Sequence, residues 1–278
     1  MTMPSLSQAL AQRYSDAETP PDDLAASGIL CGMAARGSVR HFQKRSVPQA
    51  TLRTLAAIAL AAPSKSDLQQ RDIIIVSDPA QRARLDTVLS AQPWIKGAPH
   101  LLVFCGDNRR QRLLHKWWKR PFANDHLDAM FNASVDAGIA LCAFITAAEA
   151  AGLGCCPIST IRNRAQEASE ILDLPEHVFP VAALAVGYPK AEHPAISPRL
   201  PLSVTLHTDR YGEDDLRDKV AAYDDARAEG QPYATQRSPD AFGTADVYTW
   251  SDDKTRQYSL PERQDFGAFL RSRGFSLD

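Results

Sequence analysis

The chain lacks the usual means of holding a metal or a disulfide framework. Its five cysteines, Cys31, Cys105, Cys142, Cys155 and Cys156, are odd in number and form no C-x-x-C pair, so neither a disulfide scaffold nor a thiol-ligated zinc follows from them. Three sit in strongly apolar runs and read as small core residues of a protein in a reducing compartment, the cytoplasm. The seven histidines are scattered, with no H-E-x-x-H or similar spacing, so no metal site is expected. Charge of one sign is also missing. A net charge of −2 and a pI near 6.4 argue against nucleic acid or an anionic membrane as partner and leave a small molecule or a protein. No basic segment followed by an apolar run opens the chain, so no signal peptide is expected. The most apolar stretch, Gly138 to Ala148 between Asp136 and Glu149, is too short to span a bilayer and reads as a buried helix.

What is present is enough for a sizeable core: 278 residues, 44% of them hydrophobic. The first 26 residues are polar and carry Pro20-Pro21-Asp22-Asp23. They read as a short helix around Leu6 to Tyr14 and then a linker. Thr51 to Ala61 is alanine-rich with apolar residues at helical spacing, and Pro63 ends it. A polar loop, Ser64 to Gln70, follows and leads into the apolar strand Ile73 to Val76. Lying between a helix stop and a buried strand, that loop is either a ligand-facing segment or an ordinary surface connection.

Pro79 to Ala91 reads as a helix broken at Gln92-Pro93-Trp94. His100 to Cys105 and Val181 to Gly187 read as further buried strands, and Cys155 to Thr160 as a short strand and turn. Asp125 to Ala151 is a long helix, apolar over most of its circumference, which predicts a sheet against one face and a second subunit against another. Arg164 to Leu172 is a further helix. One strongly basic run, Arg109 to Pro121, contains Trp117-Trp118. Basic residues interleaved with aromatics can bind single-stranded nucleic acid, but the run is short in an acidic chain. It reads as a mobile lid or as a surface helix with its tryptophans tucked inward.

The segment with the most chemical content is Arg36-Gly37-Ser38-Val39-Arg40-His41-Phe42. Arg36, Ser38 and Arg40 alternate, so in an extended segment their side chains point one way, and two guanidinium forks flanking a hydroxyl suit a phosphate. The same pattern also occurs as a plain solvated run.

Taken in order, these segments resemble the FMN-dependent nitroreductase family, and within it the NADPH-preferring oxygen-insensitive nitroreductases and flavin reductases. The resemblance is carried by Arg36 to Phe42, Ala62-Pro63-Ser64-Lys65-Ser66 with Gln69, Ala150 to Gly154, Leu172 to Pro175, Gly187-Tyr188-Pro189, Pro198-Arg199-Leu200-Pro201, Tyr223-Asp224 and Thr249-Trp250-Ser251.

The resemblance implies an α+β fold, a central mixed sheet flanked by helices, in an intertwined homodimer with extended C-terminal arms and FMN sites at the subunit interface. Residues 1–27 would be an N-terminal extension and linker, 28–211 the FMN-binding core, and 212–278 a C-terminal extension wrapping the dimer. It also implies that Arg36, Ser38, Arg40 and Arg199 hold the FMN phosphate and ribityl chain. Ser64, Ser66 and Gln92 would lie near the flavin ring, and Pro157, Ile158, Ser159 and Thr160 would line its other side. Arg237 would meet the extra phosphate of NADPH, and Trp117 and Trp118 would sit on a substrate lid. Ser197 stands where the family more often carries a lysine. The implied activity is ping-pong hydride transfer from NADPH or NADH to nitroaromatics, quinones or free flavins, the flavin carrying the chemistry. An oxidation run on the same fold, or flavin binding without turnover, are the other readings.

Overall fold

In a computed structural model that describes residues 4–191 and 195–278, the chain runs α1 (Leu6–Arg13), α2 (Gly28–Ala35), α3 (Gln49–Leu60), β1 (Arg71–Val76), α4 (Pro79–Val88), β2 (His100–Asp107), α5 (Arg109–Trp117), α6 (Leu127–Ala150), β3 (Gly154–Ile158), α7 (Ala165–Ile171), β4 (Val178–Gly187), α8 (Leu202–Thr205), α9 (Leu216–Gly230), α10 (Pro239–Phe242), α11 (Trp250–Ser259) and α12 (Phe266–Ser272). The first three residues of the expected N-terminal extension, and residues 192–194 of the expected core, lie outside the described residues. The chain divides into two compact units. A sheet unit takes Ser38–Glu192 and Arg263–Asp278, and a helical unit takes Met1–Gly37 and His193–Glu262.

In the sheet unit the strands are ordered β1-β2-β4-β3. Every pairing among the described strands is antiparallel, which corrects the expected mixed sheet. Short apolar runs fix where strands lie, whereas pairing direction depends on which strand each run meets. Period-2 alternation then divides the side chains. From β2, Leu101, Val103 and Cys105 join Leu85 and Val88 of α4 and Ala168 and Ile171 of α7 on one face. Leu102 and Phe104 join Leu52 and Leu55 of α3 and Phe144 and Ala148 of α6 on the other. Both faces are covered, so the strands read as continuous apolar runs. Each fully buried large side chain contributes about 1.5–3 kcal/mol relative to exposure, and Phe104 and Phe144 add an edge-to-face contact at 5.8 Å.

Proline at position 180 is tolerated in a central strand because the register slips there: Phe104 pairs with Ala182 and Cys105 with Pro180. The bulged residue, Val181, gives its carbonyl to Arg162. Gly154 opens β3 because a Cβ there would lie 2.7 Å from Val39 Cγ2. That close approach lets the Ser38–Arg40 segment lie against β3, with Val39 N donating to Cys155 O at 3.0 Å. From Arg263 the chain is back in the sheet unit, where Phe269 and Leu270 of α12, with Phe275, pack with Phe179, Ala133 and Ala165.

The helix expected from Asp125 to Ala151 is α6, stopped where Gly152 turns to φ 76°. Its small residues Ala133, Ala137, Ala140 and Ala148 face inward. Phe131 is 59% exposed and Val135 41%, so one chain covers only part of its circumference.

In the helical unit, α1 begins at a capping box in which Ser5 accepts from Gln8 N and the Gln8 side chain answers. Two pieces of the sequence resemblance meet there. Asp224 of α9 is buried and accepts Ser251 N at 2.9 Å, and Tyr223 meets Trp250 edge-on at 5.4 Å.

Candidate functional site

The loop between α3 and β1 is held under local strain. Ser66, Asp67 and Gln69 all adopt positive φ of 50–56°, conformations that cost non-glycine residues free energy and persist where the surroundings impose them. Asp136, fully buried in α6, imposes them. Its carboxylate accepts Lys65 N and Gln70 N, each at 2.9 Å, and Arg71 Nη1 lies 3.8 Å away. Ser64 Oγ accepts Gln69 N at 3.2 Å, and the side chain of Ser66 is exposed. Asp136 was missed as a functional residue in the sequence. Its signal is a lone acid inside an otherwise apolar helical run, which points to a specific buried acceptor role.

Gln92 and Arg40, far apart in sequence, converge on one aromatic ring. Gln92 Oε1 accepts Trp94 Nε1 at 3.2 Å, and the Arg40 guanidinium sits 5.9 Å from the Trp94 ring centre. Around Arg36 the burial does not alternate strictly: Val39 and Phe42 are buried, Arg40 and His41 are exposed, and Arg36 and Ser38 are half-buried. At the end of β3, Pro157 is exposed, as is Ser159 just past it, whereas Ile158 is 1% exposed and its side chain belongs to the hydrophobic core. Thr160 Oγ1 is buried and has no hydrogen-bond partner among the described residues. Such a hydroxyl calls for an explanation, and a bound polar group supplies one.

Helix α5 is exposed at its end. Trp117 is 67% and Trp118 75% exposed, so the tucked-inward alternative does not hold. Other residues of α5, Gln111 and His115, line a cavity of about 170 Å³ that Lys65, Gln70 and Asn108 also face. The basic residues of this run are partly spent on carboxylates. Arg110 reaches Asp72 at 2.8 Å and Asp107 at 2.7 Å, and Arg112 reaches Asp125.

In the helical unit the remaining candidates gather around a residue that the sequence did not single out. Arg13, 6% exposed, donates to Ala34 O, to Arg36 O at 2.6 Å and to Ser197 O at 2.9 Å. Arg199 N in turn donates to Arg13 O at 2.7 Å. Burial, and then the charges of Arg199 and Arg36, push the Arg13 pKa below its usual value. The exposed Arg199 guanidinium reaches its own loop carbonyls, Pro198 O and Ser197 O, at 3.3 and 3.5 Å.

Arg237 is also in this unit, its guanidinium 3.4 Å from Asp253. Burial works against ionising Asp253, but hydrogen bonds from Lys254 and Tyr248 and the Arg237 charge hold its carboxyl below the usual range. The expected NADPH arginine is thus positioned by a buried acid.

Two family models match the chain: "Nitroreductase family" over residues 33–188 and "Nitroreductase family, C-terminal domain" over residues 197–278. The chain is 32% identical over 255 residues to the Bacillus subtilis FMN reductase that takes NAD(P)H, covering 90% of this chain and 98% of that one. It is 32% identical over 248 residues to the oxygen-insensitive NADPH nitroreductase of Salmonella typhimurium, covering 89% and 97%. Among solved structures, B. megaterium NfrA2 superposes with a TM-score of 0.81 at 32% identity, covering 91% of this chain and 99% of that one. The Vibrio harveyi NADPH:FMN oxidoreductase complexed with NAD+ does so with 0.77 at 28% identity, covering 89% and 98%.

Proposed function

This chain belongs to the nitroreductase family, and we propose that it is an FMN-dependent NAD(P)H oxidoreductase that reduces electron-poor acceptors such as nitroaromatics, quinones or free flavins. The observation that carries the reading is the gathering of Arg36 and Arg199, distant in sequence, around one buried arginine in the helical unit. A dianionic phosphate is the ligand that several guanidinium forks carried on neighbouring segments suit.

The residues fit FMN. In the helical unit Arg36 and Arg199 are the cations we assign to its phosphate. In the sheet unit we assign Ser38 and Arg40 to the phosphate and ribityl side, and Ser64, Ser66 and Gln92 to the ring. Pro157, Ser159 and Thr160 are assigned to its other side, and the unpartnered Thr160 hydroxyl favours a polar ligand there. FMN, when bound, supplies the acceptance of a hydride from NAD(P)H and its delivery to the acceptor. The chain's own part is to bind and orient. The strained Ser64–Gln70 loop, braced by Asp136, presents its polar groups in one fixed arrangement, which lowers the cost of ordering them at the moment of binding. Arg237, aimed by Asp253, is assigned to the 2′-phosphate of NADPH, which makes NADPH the preferred donor.

We also propose a homodimer with the exposed apolar side of α6 in its interface, the C-terminal segment wrapping the partner, and a cytoplasmic location in keeping with five cysteines that form no disulfide. The test is the visible spectrum of the purified protein during anaerobic addition of NADPH, then NADH, then a quinone. The expected outcome is a yellow protein bleached by NADPH and recoloured by the quinone, with Arg237→Ala losing the preference for NADPH over NADH. A protein that stays colourless after reconstitution with excess FMN refutes the reading. A yellow protein that neither nucleotide bleaches supports the oxidative alternative instead.

A further inference from the structure

The N-terminal segment lies outside the 33–188 and 197–278 matches, yet it is not a loose tail in the helical unit. Arg13, the last residue of α1, takes three carbonyls: Ala34 O and Arg36 O on one stretch of chain and Ser197 O on another. The bond to Ser197 spans 184 positions of sequence. The peptide of Arg13 adds a second tie, since its carbonyl accepts Arg199 N at 2.7 Å. Three residues later Asp16 continues the clamp. Its two carboxylate oxygens accept Leu202 N at 2.7 Å and Ser203 N at 2.8 Å, at the start of α8. From the far side Tyr223 OH donates to Pro198 O at 3.2 Å. The loop that carries Arg199 is thus fixed on both flanks. Arg13 is the residue that also fixes the backbone of Arg36.

We propose that Arg13 is a positioning residue for an anion site. By bridging the Arg36 and Ser197–Arg199 backbones it sets the separation of the two guanidiniums that receive the FMN phosphate. The inference rests on the assignment of Arg36 and Arg199 to that phosphate. Arg13 itself does not touch the ligand: it is buried, and its donors are committed to carbonyls. Its planar fork is what the role needs, because a guanidinium can serve several carbonyls in one plane whereas a lysine ammonium offers a single point. Burial and the neighbouring charges of Arg199 and Arg36 lower its pKa.

The experiment compares FMN with riboflavin, which lacks the phosphate, in titrations of the apoprotein followed by flavin fluorescence. The variants are Arg13→Ala, Arg13→Lys, Arg199→Ala and the Arg13→Ala/Arg199→Ala double. Arg13→Ala is expected to weaken FMN roughly tenfold or more, the scale of one charge-assisted contact, and to leave riboflavin unchanged. Arg13→Lys should not restore binding, and the double variant should bind FMN about as weakly as Arg199→Ala alone, since both act through one contact. If Arg199→Ala weakens FMN while Arg13→Ala does not, the inference fails and the phosphate assignment stands. If Arg199→Ala has no effect, the assignment itself fails. Equal losses of FMN and riboflavin in Arg13→Ala, or additive losses in the double variant, also overturn the inference, because they mark a merely structural residue. Should Arg13→Ala not fold, Asp16→Asn loosens the same loop from its other anchor. It is expected to weaken FMN selectively, and unchanged FMN binding there counts against the clamp.

Discussion

Asp72 is the residue whose ionisation the fold disturbs most legibly. Burial, and then its hydrogen bond with Asp107, push its carboxyl up to about 6, against the pull of Arg110. The folded chain therefore holds a proton on this group between about pH 4, where an unfolded aspartate releases it, and about pH 6. More protons bound when folded means that the contribution to stability is greatest below that window and is lost as pH rises through it. Asp72→Asn removes the titration. The expected outcome is that its urea midpoint gains on that of the parent as pH goes from 4 to 6.5, whatever constant offset the lost Arg110 contact adds. Parallel pH profiles for the two proteins would show that Asp72 is not the group responsible. At the same scale Asp136 holds a strained loop in the sheet unit, and Arg13 joins two arginine-bearing segments in the helical unit.

At the scale of elements, α5 is the part of the sheet unit most suited to selecting acceptors. Its N-terminus is pinned through Arg110 to Asp72, Asp107 and Gln69 O, and Trp117 and Trp118 at its other end are exposed. A helix pinned near its start with exposed aromatics at its end suits the lid proposed for it. Aromatic stacking contributes about 0.5–1.5 kcal/mol, so Trp117→Ala or Trp118→Ala is expected to slow transfer to flat aromatic acceptors by up to roughly tenfold and to leave flavin reduction by NADPH untouched. Each half-reaction should be followed by stopped flow. Unchanged acceptor rates in both variants would reduce the tryptophans to surface residues.

For the whole molecule, the exposed apolar side of α6 is the feature that a single chain does not account for. Phe131 and Val135 lie one turn apart and are largely uncovered, and Ile58 of α3 is 52% exposed. Exposed apolar side chains of this kind fit the dimer interface proposed above. Phe131→Arg with Val135→Arg is expected to convert a dimer into a monomer by light scattering and to reduce FMN content with it. A variant that remains dimeric places the interface elsewhere.

The sequence by itself determined the elements of the sheet unit. Strands at Ile73 to Val76, His100 to Cys105 and Val181 to Gly187, and the long helix α6, were legible because burial on both faces writes continuous apolar runs and helical packing writes its own period, both local signals. The ordered motifs were enough to give the family as well. Only the tertiary structure decided the antiparallel pairing throughout the described sheet, the bulge that accommodates Pro180, and the partners of Arg13, Asp136 and Arg237. Those depend on which carbonyl, amide or carboxylate comes within about 3 Å of a side chain, and when the partner is 184 residues away no window of sequence contains both halves of the bond.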